Sequence, residues 1–376
     1  SHEVPAPAGR MTGAIVRHAR PDDEAAVAAL FQAEGWGRPS FDRWWRQTRD
    51  NCAGTPDAPF GWVLETGGRA VGFLRNVLQR YRYGDRDLVA AAASTLVVGA
   101  EHRGHTLRLV GAFCKQHGVD LLLNTTAAPE TAKIFEFLKF SRMPQPEYDL
   151  SLYWVLGARG FLTSGLRKKG VPPGLAGAGA VVLAPALSLF LHATGRRASR
   201  TAVGDVSVID VSDIDARFDD LWARRLGEGK RLLAYRDAAS LRWHFGFSKT
   251  VPPPRVVCAM RDGRLLGYLV LLPQYSEPID LRRARVADLF VANDDADVIR
   301  ALLGEASRQA ARDGAAMLEV VGLPRQVRAA VRAFRPSTLA DRCWPFSYKT
   351  ADPELRAELP EEQRWYAGLY DGDGSL

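Results

Sequence analysis

Two stretches of this chain pair charged or polar side chains with backbone at what reads as a strand-to-helix junction. In the first, the apolar run Leu96-Val97-Val98 leads into Gly99-Ala-Glu-His-Arg-Gly-His-Thr-Leu-Arg108 and then into a helical pattern. Backbone amides at a helix N-terminus, together with the helix dipole, favour an anion. Arg103, Gly104, His105, Thr106, Leu107 and Arg108 are therefore a candidate phosphate cradle, to which the Arg108 guanidinium can add a charge-assisted contact. The second stretch, Val291-Ala-Asn-Asp-Asp-Ala-Asp297, places three aspartates at the same kind of junction. Carboxylates there satisfy the dipole themselves and repel a phosphate.

Other chemistry-bearing residues read more plainly. His102, His105 and His117 have no carboxylate or cysteine at ligand spacing, so no metal site is expected. Cys114 falls on an apolar helix face and reads as core. Trp44-Trp45 can line a cleft or fill a core. Tyr235, Trp243 and Asp288 are candidate substrate contacts, with packing roles as the simpler reading of each.

These residues need a scaffold, and the chain repeats one. Trp62-Val-Leu-Glu-Thr-Gly-Gly-Arg-Ala-Val-Gly-Phe-Leu74 reads as strand, tight turn, strand, and Val257-Cys-Ala-Met-Arg-Asp-Gly-Arg-Leu-Leu-Gly-Tyr-Leu269 repeats the scheme. Ser94–Val98 is answered by Ala287–Val291, and Leu121–Leu123 by Ala316–Leu318. A period of this size means two copies of a domain, since solenoid repeats run about 20–50 residues. Helical spacing over 22–34, 105–118 and 130–138 is matched over 213–226, 296–312 and 325–333. In the 105–118 helix, Leu107, Val110 and Cys114 are expected on the apolar face, with Phe113 beside it. Each copy reads β-α-β-β-β-α-β-α, a mixed sheet of the α/β class with helices on both faces.

The 376 residues carry a net charge of +7, with eight lysines and 42 arginines. All of that net charge is confined to 150–204, which has seven cations and no acid; the two copies together are neutral. No basic, aromatic-interleaved stripe stands out, so nucleic acid is not expected as a partner. Within this segment Leu175–Leu191 is mostly Ala, Gly, Val and Leu, interrupted by Pro185. It reads as a linker helix packed between the copies, or as a contact with an anionic membrane surface. The four cysteines are dispersed, the composition is that of a folded protein, and the N-terminus shows no apolar leader, so a cytoplasmic location, with peripheral membrane contact as an option, is expected.

With the Arg103–Gly104 loop between the fourth strand and the third helix, the chain resembles the GNAT acyltransferase superfamily, whose pyrophosphate loop follows R/Q-x-x-G-x-G/A. Thr106 and Arg108 stand where that pattern keeps small residues. Asn124-Thr-Thr-Ala-Ala-Pro-Glu-Thr-Ala-Lys-Ile-Phe-Glu-Phe-Leu-Lys-Phe140 resembles the family's fifth strand and following helix. The resemblance implies two tandem GNAT-like domains, 14–149 with a degenerate cofactor loop and 205–376 without one, after a tail at 1–13 and joined by the 150–204 segment. It implies that the amides of Arg103–Arg108 cradle acetyl-CoA or another acyl-CoA. Leu96, Val97 and Val98 would pair with the pantetheine arm, and Asn124 would meet the cofactor. Where the family often has a Glu base and a Tyr acid, this chain has Ser94 and Phe135, which leaves Ser94 as a water-holding group.

The function implied is acyl-CoA-dependent N-acyl transfer to a small-molecule amine. The chain also resembles bacterial tandem proteins of this superfamily, some associated with polysaccharide or envelope biosynthesis, including their Trp365-Tyr366 and Tyr370-Asp-Gly-Asp-Gly374 ending. A catalytically dead binding or scaffold protein is the alternative. A Fem-type aminoacyl transferase, which also doubles this fold, is a more distant one.

Overall fold

The computed structural model describes residues 13–37, 40–54, 58–194, 205–248, 250–342 and 344–376. The tail at 1–12, Cys343, and Arg196, Arg197 and Arg200 lie outside the described residues. The first half runs β1 (Ile15–His18), α1 (Glu24–Ala33), α2 (Phe41–Arg49), β2 (Gly61–Thr66), β3 (Arg69–Tyr83), β4 (Arg86–Val98), α3 (Thr106–Cys114), β5 (Leu121–Asn124), α4 (Pro129–Phe137) and β6 (Ser141–Arg142). Then come β7 (Leu150–Val155), α5 (Ala158–Lys168) and α6 (Pro173–Ala193). The second half runs β8 (Asp205–Asp210), α7 (Ala216–Leu226), β9 (Leu232–Ala234), α8 (Ala238–Gly246), β10 (Arg255–Arg261), β11 (Arg264–Ser276) and β12 (Leu281–Val291). It closes with α9 (Ala296–Arg312), β13 (Met317–Val320), α10 (Arg325–Arg332), β14 (Ser337–Arg342), β15 (Ser347–Lys349) and α11 (Pro353–Glu358).

Local chemistry sets the hairpins. The β2–β3 turn is Gly67-Gly68 and the β10–β11 turn Asp262-Gly263, all four at positive φ, as a two-residue turn between twisted strands requires. The apolar-Gly-aromatic run after each turn also has a steric cause. A Cβ on Gly267 would stand 2.7 Å from Val291 Cγ2, so β11 and β12 close only around a bare backbone there.

The repeat produces two mixed sheets that exchange a strand. The first has the order β1-β2-β3-β4-β5-β15-β6, with β9 also paired to β3; the second has β14-β7-β13-β12-β11-β10-β8. Thus β7, at the end of the first copy, pairs with β13 of the second (Leu152 with Val320), while β15 pairs with β5 of the first (Tyr348 with Leu123). This corrects two expected boundaries. Residues 150–155 are not linker but a strand within the second sheet, and 205–376 supplies two strands, β9 and β15, to the first sheet. By crossing over, β7 and β15 each gain two hydrogen-bonded neighbours, β13 and β14 for β7, β5 and β6 for β15. One apolar core accordingly runs through both halves, from Val77, Tyr81 and Leu123 to Leu269, Phe290 and Tyr366.

Two helices differ from expectation. On α3 the buried residues are Leu109, Val110 and Phe113, whereas Leu107 is exposed and Cys114 half-buried. Both sets fit helical spacing, and the side facing β2 and β3 selects the former. The apolar segment forms a continuous 21-residue helix, α6, with Pro173 at its start and Pro185 inside. It does not pack between the copies. Only Ala176, Ala180 and Leu191 are buried, and its main neighbour is α5.

Candidate active site

The parallel strands β4 and β5 pair only from Ala90–Leu121 to Ala92–Leu123 and then part. A bulge at Thr95, where φ is 47°, turns β4 outward just beyond that point. The opening is a cleft of about 460 Å³. Its walls include Leu74, Arg75, Ser94 and Leu96 from β3 and β4, Asn124 from β5, Phe135 from α4, and Trp36 and Trp44 from the α1–α2 side. Arg75 is buried and stacks on Trp44, its guanidinium carbon 5.1 Å from the ring. Asn124 is 2% exposed, and its Nδ2 has no acceptor among the described residues. A buried amide donor in that condition is costly unless something in the cleft accepts from it.

A further wall comes from the other copy. Residues 365–376 run as a strap bonded to both halves. The Tyr366 hydroxyl donates to the Leu289 carbonyl at 2.7 Å, Gln79 Nε2 to the Tyr370 carbonyl at 3.0 Å, and the Gly372 amide to Gln79 Oε1 at 2.9 Å. At Gly372 φ is +70°, and a Cβ would lie 2.5 Å from Thr125 Oγ1, so only glycine lets the strap sit this close to β5. Thr125 and Thr126 then donate their hydroxyls to Asp373 at 2.6 and 2.8 Å. Asp373, Gly374 and Leu376 line the cleft. A carboxylate offers about four lone-pair directions, so Asp373 keeps accepting capacity toward the cleft. Ser375 shares a 2.8 Å hydrogen bond with His244 Nε2. Burial, with Arg75 and Arg236 nearby, pushes that imidazole down to about 3.

In the second sheet the matching opening, beyond the last β12–β13 pair of Val286 and Val320, is filled. Arg236 is fully buried there, bonded to Asp288 at 3.0 Å and 3.5 Å from Asp371. The Tyr268 hydroxyl donates to Asp288 at 2.7 Å and the Tyr81 hydroxyl to Asp371 at 2.8 Å. Burial raises the Asp371 carboxyl above its ordinary range, against the pull of Arg236. The Leu289 carbonyl, counterpart of that of Leu96, already accepts from Tyr366. The equivalent cleft is therefore occupied by the protein itself.

The structure brings Ser94, Leu96 and Asn124 of the sequence-derived candidates into the open cleft, together with Trp44. Trp45 is core, its indole donating to the Pro21 carbonyl. The Val97 side chain packs with Phe31 and Phe73, and that of Val98 lies toward the α3 side. The loop is not an open cradle here. Residues Ala100–His105 wind into a 3-10 turn, so the His102 amide is bonded to the Gly99 carbonyl and the Thr106 amide and hydroxyl to that of Arg103. Arg108 donates to the Ala14 carbonyl, and none of Arg103, Gly104, His105, Thr106, Leu107 or Arg108 lines the cleft.

The expected substrate contacts are corrected. Asp288 is held in the buried Arg236 cluster, Tyr235 donates to Asp87 at 2.6 Å, and Trp243 is half-buried on α8; none reaches the cleft. Asp373, Arg75 and the strap were missed. The unusual Asp-Gly-Asp-Gly ending was the available signal, but its partners Thr125 and Thr126 lie about 250 positions away. Among the described residues no three metal-ligating side chains cluster.

No protein-family model matches the sequence, and no curated protein matches it. Solved structures do match in three dimensions. A GCN5-related N-acetyltransferase from Anabaena variabilis superposes with a TM-score of 0.58 at 7% identity, over 90% of this chain and 73% of that one. One from Kribbella flavida gives 0.54 at 13%, over 90% and 71%. The N-myristoyltransferase of Saccharomyces cerevisiae, solved with bound myristoyl-CoA and inhibitors, gives 0.56 at 11%, over 92% and 82%. At these identities the likeness is one of architecture: the chain has the GCN5-related N-acetyltransferase fold.

Proposed function

We propose that this protein is an acyl-CoA-dependent N-acyltransferase that carries out its chemistry in the cleft between β4 and β5. The observation that carries the reading is the pair lining that cleft, a buried Asn124 amide without an acceptor among the described residues and the Asp373 carboxylate on the strap. The amine nitrogen of the acceptor attacks the thioester carbonyl carbon, and its proton passes to Asp373. The Asn124 N–H and the Arg75 guanidinium are the donors suited to the oxyanion that develops. The C–S bond then breaks and coenzyme A leaves as a thiolate, with no tyrosine acid required because a thiol of pKa about 8.5 is a fair leaving group near neutral pH. Phe135 closes the apolar side. Neighbours of this fold, a GCN5-related N-acetyltransferase and an N-myristoyltransferase with myristoyl-CoA bound, support the same reading.

The wound loop and the tie from Arg108 to Ala14 favour a second reading, a binding protein that holds a thioester without turning it over. Titration with acetyl-, octanoyl- and myristoyl-CoA, read as a change in melting temperature, tests both, because a ligand stabilises the state it binds. A rise with at least one thioester and thiol release that depends on an added primary amine is expected. Binding without amine-dependent release leaves the second reading; no rise with any thioester overturns both.

A further inference from the structure

We propose that α6 is a membrane-contact element that seats the protein on an anionic phospholipid surface. The helix is about 31 Å long at 1.5 Å per residue and has a mean hydropathy of 2.0 over an 18-residue window. Only 17% of that window is buried, unlike the core helix of a soluble domain. Leu175, Val182 and Leu189, spaced by seven, are 67%, 76% and 71% exposed, and Phe190, Val181 and Leu183 extend the same outward surface. A contiguous apolar face of this kind marks an interaction site.

The helix is also mounted rather than loose. Its inner residues Ala176 and Ala180 are fully buried, and a Cβ on Gly179 would meet Leu166 of α5 at 3.3 Å. The α5 helix is fixed to the second half in turn: the Ser164 hydroxyl donates to the Asp280 carbonyl at 3.0 Å, and Gly160 lies against Ala316. The outer face of α6 therefore has a defined orientation.

Charge selects the occupant. The sequence places Arg167, Lys168 and Lys169 immediately before α6 and Arg196, Arg197 and Arg200 immediately after it, with no acidic residue from 150 to 204. Cations at both ends of an apolar helix complement headgroups of an anionic leaflet while the side chains between them enter the acyl boundary. A helix lying in the surface meets this condition at both ends. A spanning helix would send Arg196, Arg197 and Arg200 across the bilayer, and the chain would have to return to β8 within eleven residues. A second copy of the protein would bring two cationic sets together, so it is the less complementary occupant. This proposal does not depend on acyl transfer.

The test is flotation of the full chain with phosphatidylcholine vesicles containing about one third phosphatidylglycerol, at low salt. Co-flotation is expected, with little on phosphatidylcholine alone and release by high salt or carbonate. The double variant Val182→Asp/Leu189→Asp, whose side chains are exposed and whose folding is checked by circular dichroism, should lower the bound fraction about tenfold, and Arg196→Glu/Arg197→Glu should weaken it likewise. Absence of co-flotation, binding unchanged in the aspartate variant, or retention after carbonate would overturn the proposal. So would a dimer in lipid-free buffer that the aspartate variant dissociates.

Discussion

His244 gives the strap a pH dependence that can be worked out from its surroundings. The imidazole is fully buried, shares a hydrogen bond with Ser375 and is pushed down to about 3 by burial and by Arg75 and Arg236. In the unfolded chain the same ring titrates near 6.5. Below about pH 6.5 the unfolded state therefore takes up a proton that the folded state does not, so this group's contribution is complete above that pH. It falls by about 1.4 kcal/mol per unit as the pH drops toward 3. Between about pH 7.5 and pH 5 the loss from this one ring is about 2 kcal/mol. The perturbation is His244→Gln, which cannot titrate. Urea unfolding of both proteins, followed by tryptophan fluorescence, gives stability across that range. The variant starts lower at pH 7.5, and its stability should decline less steeply, by about 2 kcal/mol over the interval. Parallel pH profiles for the two proteins would refute the assignment of a buried, neutral His244.

Four other outcomes follow from the site and the fold. Asp373→Asn should leave thioester binding intact and lower acyl transfer by about 10²–10⁴-fold, read as kcat with KM for the thioester unchanged. Arg236→Met leaves Asp288 and Asp371 buried without their cation and should cost about 3–5 kcal/mol in denaturant unfolding. Gly372→Ala should cost about 1–3 kcal/mol and lower acyl transfer disproportionately, because the new methyl displaces Thr125, which holds Asp373. A fragment of residues 205–376 should aggregate when expressed alone, since β13 and β14 lose the strand between them; one beginning at Leu150 should be more soluble by sedimentation.

The parts of this fold legible in the sequence are those fixed by neighbours along the chain. Gly67-Gly68 and Asp262-Gly263 announce their hairpins by turn chemistry alone, and the spacing of Val298, Leu302, Leu303, Ala306 and Ala310 defines the buried face of α9. Strand exchange is not legible. Leu150–Val155 is the same apolar run whichever sheet it joins, and the choice depends on edges assembled far away. Asp288 was open to misreading for a related reason: an acid in a strand looks like a site until Arg236, 52 positions earlier, is seen to neutralise it. Ser94, Leu96 and Asn124 were found because they sit where two strands part, which element order alone locates. Their counterpart Asp373 was not, because the strap reaches the cleft from the other copy.

The exchanged strands also set a schedule for biosynthesis. Tyr348 pairs with Leu123 across 225 positions, so a ribosome that has released the whole first copy has not yet produced a strand that its sheet requires. Contacts of such separation form slowly and leave sheet edges open in the meantime. The cleft is later still, since its acidic wall exists only once residue 373 has emerged. A nascent or truncated chain thus has the fold's first hairpins and α3 but no enclosed site, which couples any thioester chemistry to completion of the second copy.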